Sequence, residues 1–456
     1  MKVNSDIFRA YDIRGIVDED LTKETVFHIG KAIGTLIQNQ GRKDLLVARD
    51  GRSSGERLKK LFEKGVMESG CNVLSLGSVP TPLLYFATFV TPYQDGVMIT
   101  GSHNPKNYNG FKIVVGKKSL TLNQIEQIKI IIQEESYKEG NGSNLTIDIK
   151  DDYIETLKKK INIKKKLKIC LDCGNGIGGV IAPKVFKVFG LEVIELYSEV
   201  DGNFPNHHPD PSKPENLKDL IRVVKEKNCD LGIALDGDGD RVGIVDDSGK
   251  IIFPDRYMML VAEFLLKNNP KEKIIYDVKC TSNLKKLILE KDGIPIMTRT
   301  GHSYIKSKIL ETNALFGGEM SGHIFFNDNW YGFDDALFSS LRIIEIISEQ
   351  KKSSSEIFNS YDNYISTPEL NIEVNEHDKF KIIDSFKKII NSEGFERIEI
   401  DGLRLERPNA WGLIRASNTS PSLVLRFEGK TIKDLNFIKN HFQESLSKID
   451  PNLNIS

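Results

Sequence analysis

Apolar runs of strand length alternate with longer stretches of helical period through about the first 350 residues, the pattern expected of α/β domains. Leu45–Ala48, Asn72–Leu76 and Gly96–Thr100 read as strands, with helical segments between them. The lysine-rich stretch Lys158–Lys168 reads as a solvated helix or linker, after which Lys168–Leu171 begins a second α/β unit that ends near Pro254. A third unit opens with a helix around Tyr257–Leu266 and the strand Ile274–Val278. Its helix Asp335–Gln350 runs into the polar break Lys351–Ser355. Beyond about Thr367 the order changes to strand, helix, several strands around Ile398–Phe427 and a final helix, a smaller α+β block.

A chain of 456 residues fits three or four such domains, and 39% hydrophobic with 28% charged residues is ordinary for a soluble globular protein. Sixty-three Lys and Arg nearly balance 64 Asp and Glu, so no global field selects nucleic acid or an anionic membrane. An anion site has to be built locally. No basic segment followed by an apolar core opens the chain, and no apolar run reaches bilayer length. With five widely spread cysteines, reduced thiols and a cytoplasmic location are expected. Cys170 and Cys173 form a C-x-x-C without a second pair, and read as small residues at a strand end.

The densest chemistry is Asp236-Gly237-Asp238-Gly239-Asp240-Arg241, between the apolar runs Leu231–Leu235 and Val242–Val245. Three carboxylates at alternate positions repel one another unless a hard divalent cation joins them, and oxygen-only ligands favour Mg²⁺, Ca²⁺ or Mn²⁺ over zinc. Arg241 stands where a calcium EF-hand requires glycine, and the flanks read as strands, so Mg²⁺ is the expected ion. Thr100-Gly101-Ser102-His103-Asn104-Pro105 follows the strand Gly96–Ile99, a strand end where α/β proteins place functional side chains. Ser102 lacks the G-x-S-x-G elbow of acyl transfer, and a serine beside a Mg²⁺ loop suits phosphoryl transfer. A rival motif is Gly174-Asn175-Gly176-Ile177-Gly178-Gly179, a G-x-G-x-x-G after a strand with Glu192 or Glu195 suitably downstream, which read alone suggests a dinucleotide-binding dehydrogenase. His207 and His208 resemble a metal pair but read as structural.

TGSHNP at 100–105, DGDGDR at 236–241, GEMSGH at 318–323, RASNTSP at 415–421 and FRAYDIRG at 8–15 together resemble the α-D-phosphohexomutase superfamily, most nearly its bacterial phosphomannomutase/phosphoglucomutase type. The resemblance implies three mixed α/β domains plus a smaller C-terminal α+β domain around a central active-site cleft. The expected domains are 1–150 with a phosphoserine loop, 151–255 with the metal loop, 256–366 with a sugar-recognition loop and 367–456 with a phosphate-binding loop.

By the same resemblance Ser102 carries the phosphoryl group, and Asp236, Asp238 and Asp240 bind one Mg²⁺ together with it. Arg241 adds a fixed charge, His103 and Lys112 border the transfer site, and Lys112 is a candidate for proton transfer. Glu319 and Ser321 would bind sugar hydroxyls, and His323 would approach the reacting end. Arg415, Ser417, Asn418 and Thr419 would anchor the phosphate that is not reacting, with Tyr11, Arg14, Lys279 and His302 lining the cleft. One serine and one metal cannot reach both O1 and O6 of a hexose in one pose. The implied reaction therefore passes through a hexose 1,6-bisphosphate that turns over within the site, with sugar phosphates as the only partners and a monomer or weak homodimer as the assembly. A phosphoglucosamine mutase is the nearest alternative, and Met320, where that branch tends to carry glutamine, favours glucose or mannose phosphates.

Overall fold

A computed structural model of the chain describes residues 3–9, 12–417 and 420–455. It divides into two compact units, residues 1–254 with 321–357, and residues 255–320 with 358–456.

The first unit holds two sheets. In the larger, the strands Asp44–Arg49, Asn72–Ser78, Gly96–Ile99 and Asn144–Thr146 run parallel to one another, Tyr108–Val115 pairs antiparallel with Gly96–Ile99, and Asp12–Ile16 pairs antiparallel with Tyr108–Val115. Gly96–Ile99 is buried along its whole length, as a strand with both faces covered must be. The helix Lys23–Asn39 starts because Thr22 accepts the backbone N–H of Thr25. Val26, Ile29, Ile33 and Ile37 then recur at helical spacing and are buried on the core side, each worth about 1.5–3 kcal/mol. This helix lies unusually close to Gly55–Glu68, because each turns a glycine to the other. A Cβ on Gly30 would sit 2.3 Å from the Phe62 carbonyl oxygen, and one on Gly65 would sit 2.1 Å from that of Phe27.

The second sheet runs in the order Ile251–Ile252, Val242–Asp246, Leu231–Leu235, Lys168–Asp172 and Glu192–Leu196. Leu231–Leu235 is parallel to Lys168–Asp172 and antiparallel to Val242–Asp246, so the aspartate loop closes a hairpin of two fully buried strands, as its flanks predicted. The lysine-rich linker is more tied down than a solvated segment. The backbone N–H of Asn162 donates to Glu345 and that of Lys164 to Ser348, both on the helix Ala336–Ser348. The polar break after that helix is likewise partly structured. Ser354, which opens the helix Ser354–Asn359, donates to the Asp230 carbonyl and bonds Asp247.

In the second unit, Lys273–Asp277 runs parallel to both Ile294–Thr298 and Phe316–Gly318. An antiparallel sheet built on Leu403–Arg407, Ala410–Ala416 and Ser422–Gly429 packs the helices Lys379–Ile389 and Ile432–Ser447 against one face. These are the four α/β domains of the fold, the last of them smaller and antiparallel. Among the described residues no helix is long and apolar enough to cross a membrane.

The helix contact through Gly30 gives a test of packing. Gly30→Ala gains about 1 kcal/mol of helix propensity but forces a Cβ against backbone, a cost of about 1–3 kcal/mol or more. The variant is expected to melt at lower temperature than wild type by calorimetry, and a raised midpoint would contradict the packing argument.

Candidate active site

The polar groups of the first unit gather at the carboxyl ends of its parallel strands, where an open α/β sheet leaves a crevice. Asp50 follows Asp44–Arg49, Thr81 follows Asn72–Ser78, Ser102 follows Gly96–Ile99 and Asp236 follows Leu231–Leu235. Ser102 adopts a left-handed backbone, φ +49°, which costs a residue with a Cβ about 1–2 kcal/mol. A buried frame holds it there. Its N–H donates to Thr100 Oγ1 at 2.8 Å, and Thr100 Oγ1 donates to Asp50 Oδ2 at 2.7 Å. The guanidinium of Arg52, 2% exposed, donates to the carbonyls of Ser102, Asn104, Pro105 and Tyr108 at 2.6–3.0 Å.

The aspartate loop comes against this serine. Ser102 Oγ lies 3.1 Å from Asp236 Oδ2 and 3.2 Å from His103 Nδ1. Gly237 is required by that approach, since a Cβ there would sit 2.4 Å from the Ser102 carbonyl oxygen. Asp236, Asp238 and Asp240 are each 0% exposed. Asp236 Oδ1 accepts the N–H groups of Asp240 and Arg241, closing the loop on itself. Lys112 Nζ donates to Asp238 Oδ2 at 2.7 Å and also bonds Asp240 Oδ2. Burial alone would lower the Lys112 pKa, but Asp238 and Asp240 outweigh it and push it above the usual lysine range. Burial, then the charges of Asp240 and Asp238, lift the Asp236 carboxyl well above the usual range. Burial acts the same way on Asp238, yet the Lys112 ammonium and its hydrogen bonds hold that carboxyl below it.

One lysine and one arginine leave three clustered carboxylates short of a positive charge. Asp238 Oδ1 and Asp240 Oδ1 are buried and accept no hydrogen bond from the described residues, and one ligand atom from each of the three aspartates lies within 4.8 Å of the others. This donor set fits a hard divalent cation. Asp240, His323 and Asp334 form a second such group that shares Asp240 with the first.

His323 sits beside Arg241, whose Nε donates to its Nε2 at 2.9 Å, so that ring nitrogen faces the arginine. Burial, then the charges of Arg241, Arg14 and Lys112, hold His103 well below the usual histidine range. Arg14 pairs with Asp12 at 2.6 Å and reaches Asn104 Oδ1 at 3.4 Å. Ser321 opens the last segment of this unit, two residues before His323.

The glycine-rich turn at 173–179 supports the aspartate loop and is not a dinucleotide cradle. The N–H of Ile177 donates to the Gly237 carbonyl, and those of Gly174, Asn175, Gly176 and Gly179 are taken by Asp172, Tyr197, Cys173 and Gly176. A Cβ on Gly176 would meet the Gly237 and Asp236 carbonyls at 3.0 and 3.1 Å. Cys170 and Cys173 are buried free thiols. His207 bonds Asp172, and His208 bonds the His103 carbonyl.

The second unit collects Lys279, His302, Glu319, Arg415 and Ser417, again largely at strand ends. Asp277 Oδ1 accepts the N–H of Met320 at 3.1 Å and Asp277 Oδ2 the hydroxyl of Thr300 at 3.0 Å, tying two loops together. Glu319 Oε1 accepts the N–H of Gly301, the residue before His302. Lys279 Nζ pairs with Glu369 at 2.8 Å. Arg415 belongs to the strand Ala410–Ala416, not to the loop the motif suggested, and its Nε donates to Asp401 Oδ2 at 2.7 Å. Arg415 Nη2 is buried with no hydrogen-bond partner among the described residues. Ser417 is held from the loop side by Lys379, which donates to its carbonyl at 2.8 Å. Tyr11, Asn418 and Thr419 lie outside the described residues.

Family models for phosphoglucomutase/phosphomannomutase α/β/α domains I, II and III match residues 5–139, 151–249 and 253–364, and that for the C-terminal domain matches 369–444. The chain belongs to the phosphoglucomutase/phosphomannomutase family. It is 49% identical over 447 residues to the phosphomannomutase/phosphoglucomutase of Pseudomonas aeruginosa, covering 98% of this chain and 96% of that one. The phosphoglucomutase of Neisseria meningitidis serogroup A is 46% identical over 454 residues, with 98% of each covered. A crystal structure of a phosphoglucomutase/phosphomannomutase family protein from Burkholderia thailandensis superposes with a TM-score of 0.95 at 42% identity over 100% of both chains.

The Arg52 frame yields a prediction. Arg52→Met leaves Asp50 as an uncompensated buried charge and strips donors from four carbonyls, a loss of about 3–5 kcal/mol. Thermal unfolding is expected at clearly lower temperature than wild type, and an unchanged midpoint would show that the frame is dispensable.

Proposed function

We propose that this chain interconverts hexose 1-phosphates and hexose 6-phosphates of glucose, mannose or both, with Ser102 carrying the phosphoryl group between substrate molecules. The observation that carries this reading is Ser102 Oγ at 3.1 Å from Asp236 within a buried carboxylate triad able to hold a cation. The names of its relatives favour glucose and mannose phosphates over glucosamine phosphate.

Asp236, Asp238, Asp240 and Ser102 would hold Mg²⁺, which when bound neutralises charge on the transferred group. The phosphorylated Ser102 gives its phosphoryl group to the free hydroxyl of the bound sugar phosphate. The bond from phosphorus to Ser102 Oγ breaks, the bond to the sugar oxygen forms, the hydroxyl proton passes to a base of the protein, and Ser102 Oγ takes up a proton to become the free hydroxyl. The product is a hexose 1,6-bisphosphate. It turns over, and its other phosphate returns to Ser102: Ser102 Oγ gives up its proton and bonds phosphorus, the bond from phosphorus to the sugar oxygen breaks, and that oxygen takes a proton. His103, 3.2 Å from Ser102 Oγ, and Lys112 are the groups that exchange the proton or offset the moving charge. Arg241, steadied by His323, adds fixed positive charge.

Glu319 and Ser321 take the sugar hydroxyls, which both orientations of the intermediate can present. Arg415 and Ser417, with Asn418 and Thr419, take the phosphate that is not reacting, and the uncommitted Nη2 of Arg415 supports that role. Tyr11, Arg14, Lys279 and His302 are assigned to substrate binding as well.

Ser102→Ala is expected to lose multiple turnover by several orders of magnitude in a coupled assay of glucose 1-phosphate conversion primed with glucose 1,6-bisphosphate. Substantial turnover by the variant would remove Ser102 as carrier. Arg415→Ala removes a charged hydrogen bond made equally in ground and transition states, worth about 1.5–3 kcal/mol. KM should therefore rise about 10–100-fold with kcat nearly unchanged, and a fall in kcat at constant KM would contradict the anchoring role.

A further inference from the structure

Thr81 stands at the start of the helix Thr81–Val90, just beyond the strand Asn72–Ser78, in a stretch that carries no recognisable motif. Its hydroxyl donates to Asp238 Oδ2 at 2.5 Å, and its N–H donates to the Asp238 backbone carbonyl at 2.9 Å. Both residues are 0% exposed. Asp238 is thus gripped at side chain and backbone by one residue 157 positions away. The preceding Pro80 packs on the same loop, where a Cβ added to Gly239 would lie 3.2 Å from Pro80 Cβ. Lys112 Nζ bonds the same Asp238 Oδ2, and Asp238 Oδ1 accepts no hydrogen bond.

The two oxygens of Asp238 are therefore unequal: two donors saturate one, and the other is left uncommitted. We infer that Thr81 is a positioning residue of the metal site, fixing the rotation of the Asp238 carboxylate so that Oδ1 is the oxygen offered to the cation. A carboxylate torsion is intrinsically broad and roughly two-fold, so an ungripped Asp238 would present either oxygen at variable angles. Partners of this kind, which orient a ligand without touching the metal, are worth about 10–100-fold in metal affinity. The inference rests on the aspartate triad being the metal site.

The test is Mn²⁺ binding to the dephosphorylated full chain, read as loss of the free-ion electron paramagnetic resonance signal, for wild type, Thr81→Val and Thr81→Ser. Valine keeps the shape and removes the donor, whereas serine keeps the donor. Thr81→Val should weaken Mn²⁺ binding about 10–100-fold, with Thr81→Ser close to wild type. If valine is not accommodated, Thr81→Ala only removes atoms and reads the same quantity. Wild-type affinity in a folded Thr81→Val or Thr81→Ala protein, or equal weakening in Thr81→Ser, would overturn the inference while leaving the metal site intact. A wild-type protein that binds no Mn²⁺, or whose Mn²⁺ binding survives Asp238→Asn, would overturn the metal site and the inference together.

Discussion

Three carboxylates buried within five residues are the constraint on which the first unit is built. Taking one ion out of water costs several kcal/mol after relaxation, and like charges side by side add to that. The chain meets this cost with Lys112 across Asp238 and Asp240, Arg241 beside Asp236, and backbone N–H groups turned onto Asp236 Oδ1. Asp238 Oδ1 and Asp240 Oδ1 still accept no hydrogen bond from the described residues. That deficit favours a cation there, because a group of matched charge would make a stable ion cluster with no call for one. The nucleophile candidate lies next to the unbalanced charge, where a phosphoryl group in transfer most needs a counter-ion.

The fold produces this arrangement by repeating one device. A parallel strand ends, its chain turns in a short loop, and a polar side chain is left at the carboxyl edge. In the first unit this delivers Asp50, Thr81, Ser102 and Asp236, and in the second Asp277, Thr300 and Glu319. Glycines then let the loops approach backbone to backbone, as where Gly237 meets Ser102 and Gly176 meets Gly237. The last sheet works differently. It is antiparallel and supplies Arg415 from within a strand, steadied by Asp401.

Much of this was legible in the sequence where the signal is local. The alternation of strand and helix, the buried hairpin around the aspartates and the strand leading to Ser102 all follow from short-range patterning, and the structure has them. The aspartate and serine motifs announced themselves because several unusual residues sit together. Asp50, Arg52 and Thr81 gave no such notice. Each is a common residue at a strand end, and its importance arises from partners roughly 50 to 160 positions away. The G-x-G-x-x-G run offered a rival reading for a related reason, since its spacing is that of a dinucleotide turn. Only the hydrogen bonds show that its N–H groups are already spent within the protein. Arg415 read as part of a loop because turn residues follow it, whereas its strand pairing with Val424 keeps it in the sheet.

The most direct test of the central claim is the mass and location of phosphate on the intact protein. Incubated with glucose 1,6-bisphosphate and Mg²⁺, the wild-type chain should gain one phosphoryl group, located by peptide sequencing at Ser102, and lose it on addition of glucose 1-phosphate. A chain that turns over hexose phosphates while carrying its phosphoryl group elsewhere, or while carrying none at any stage, would contradict the account.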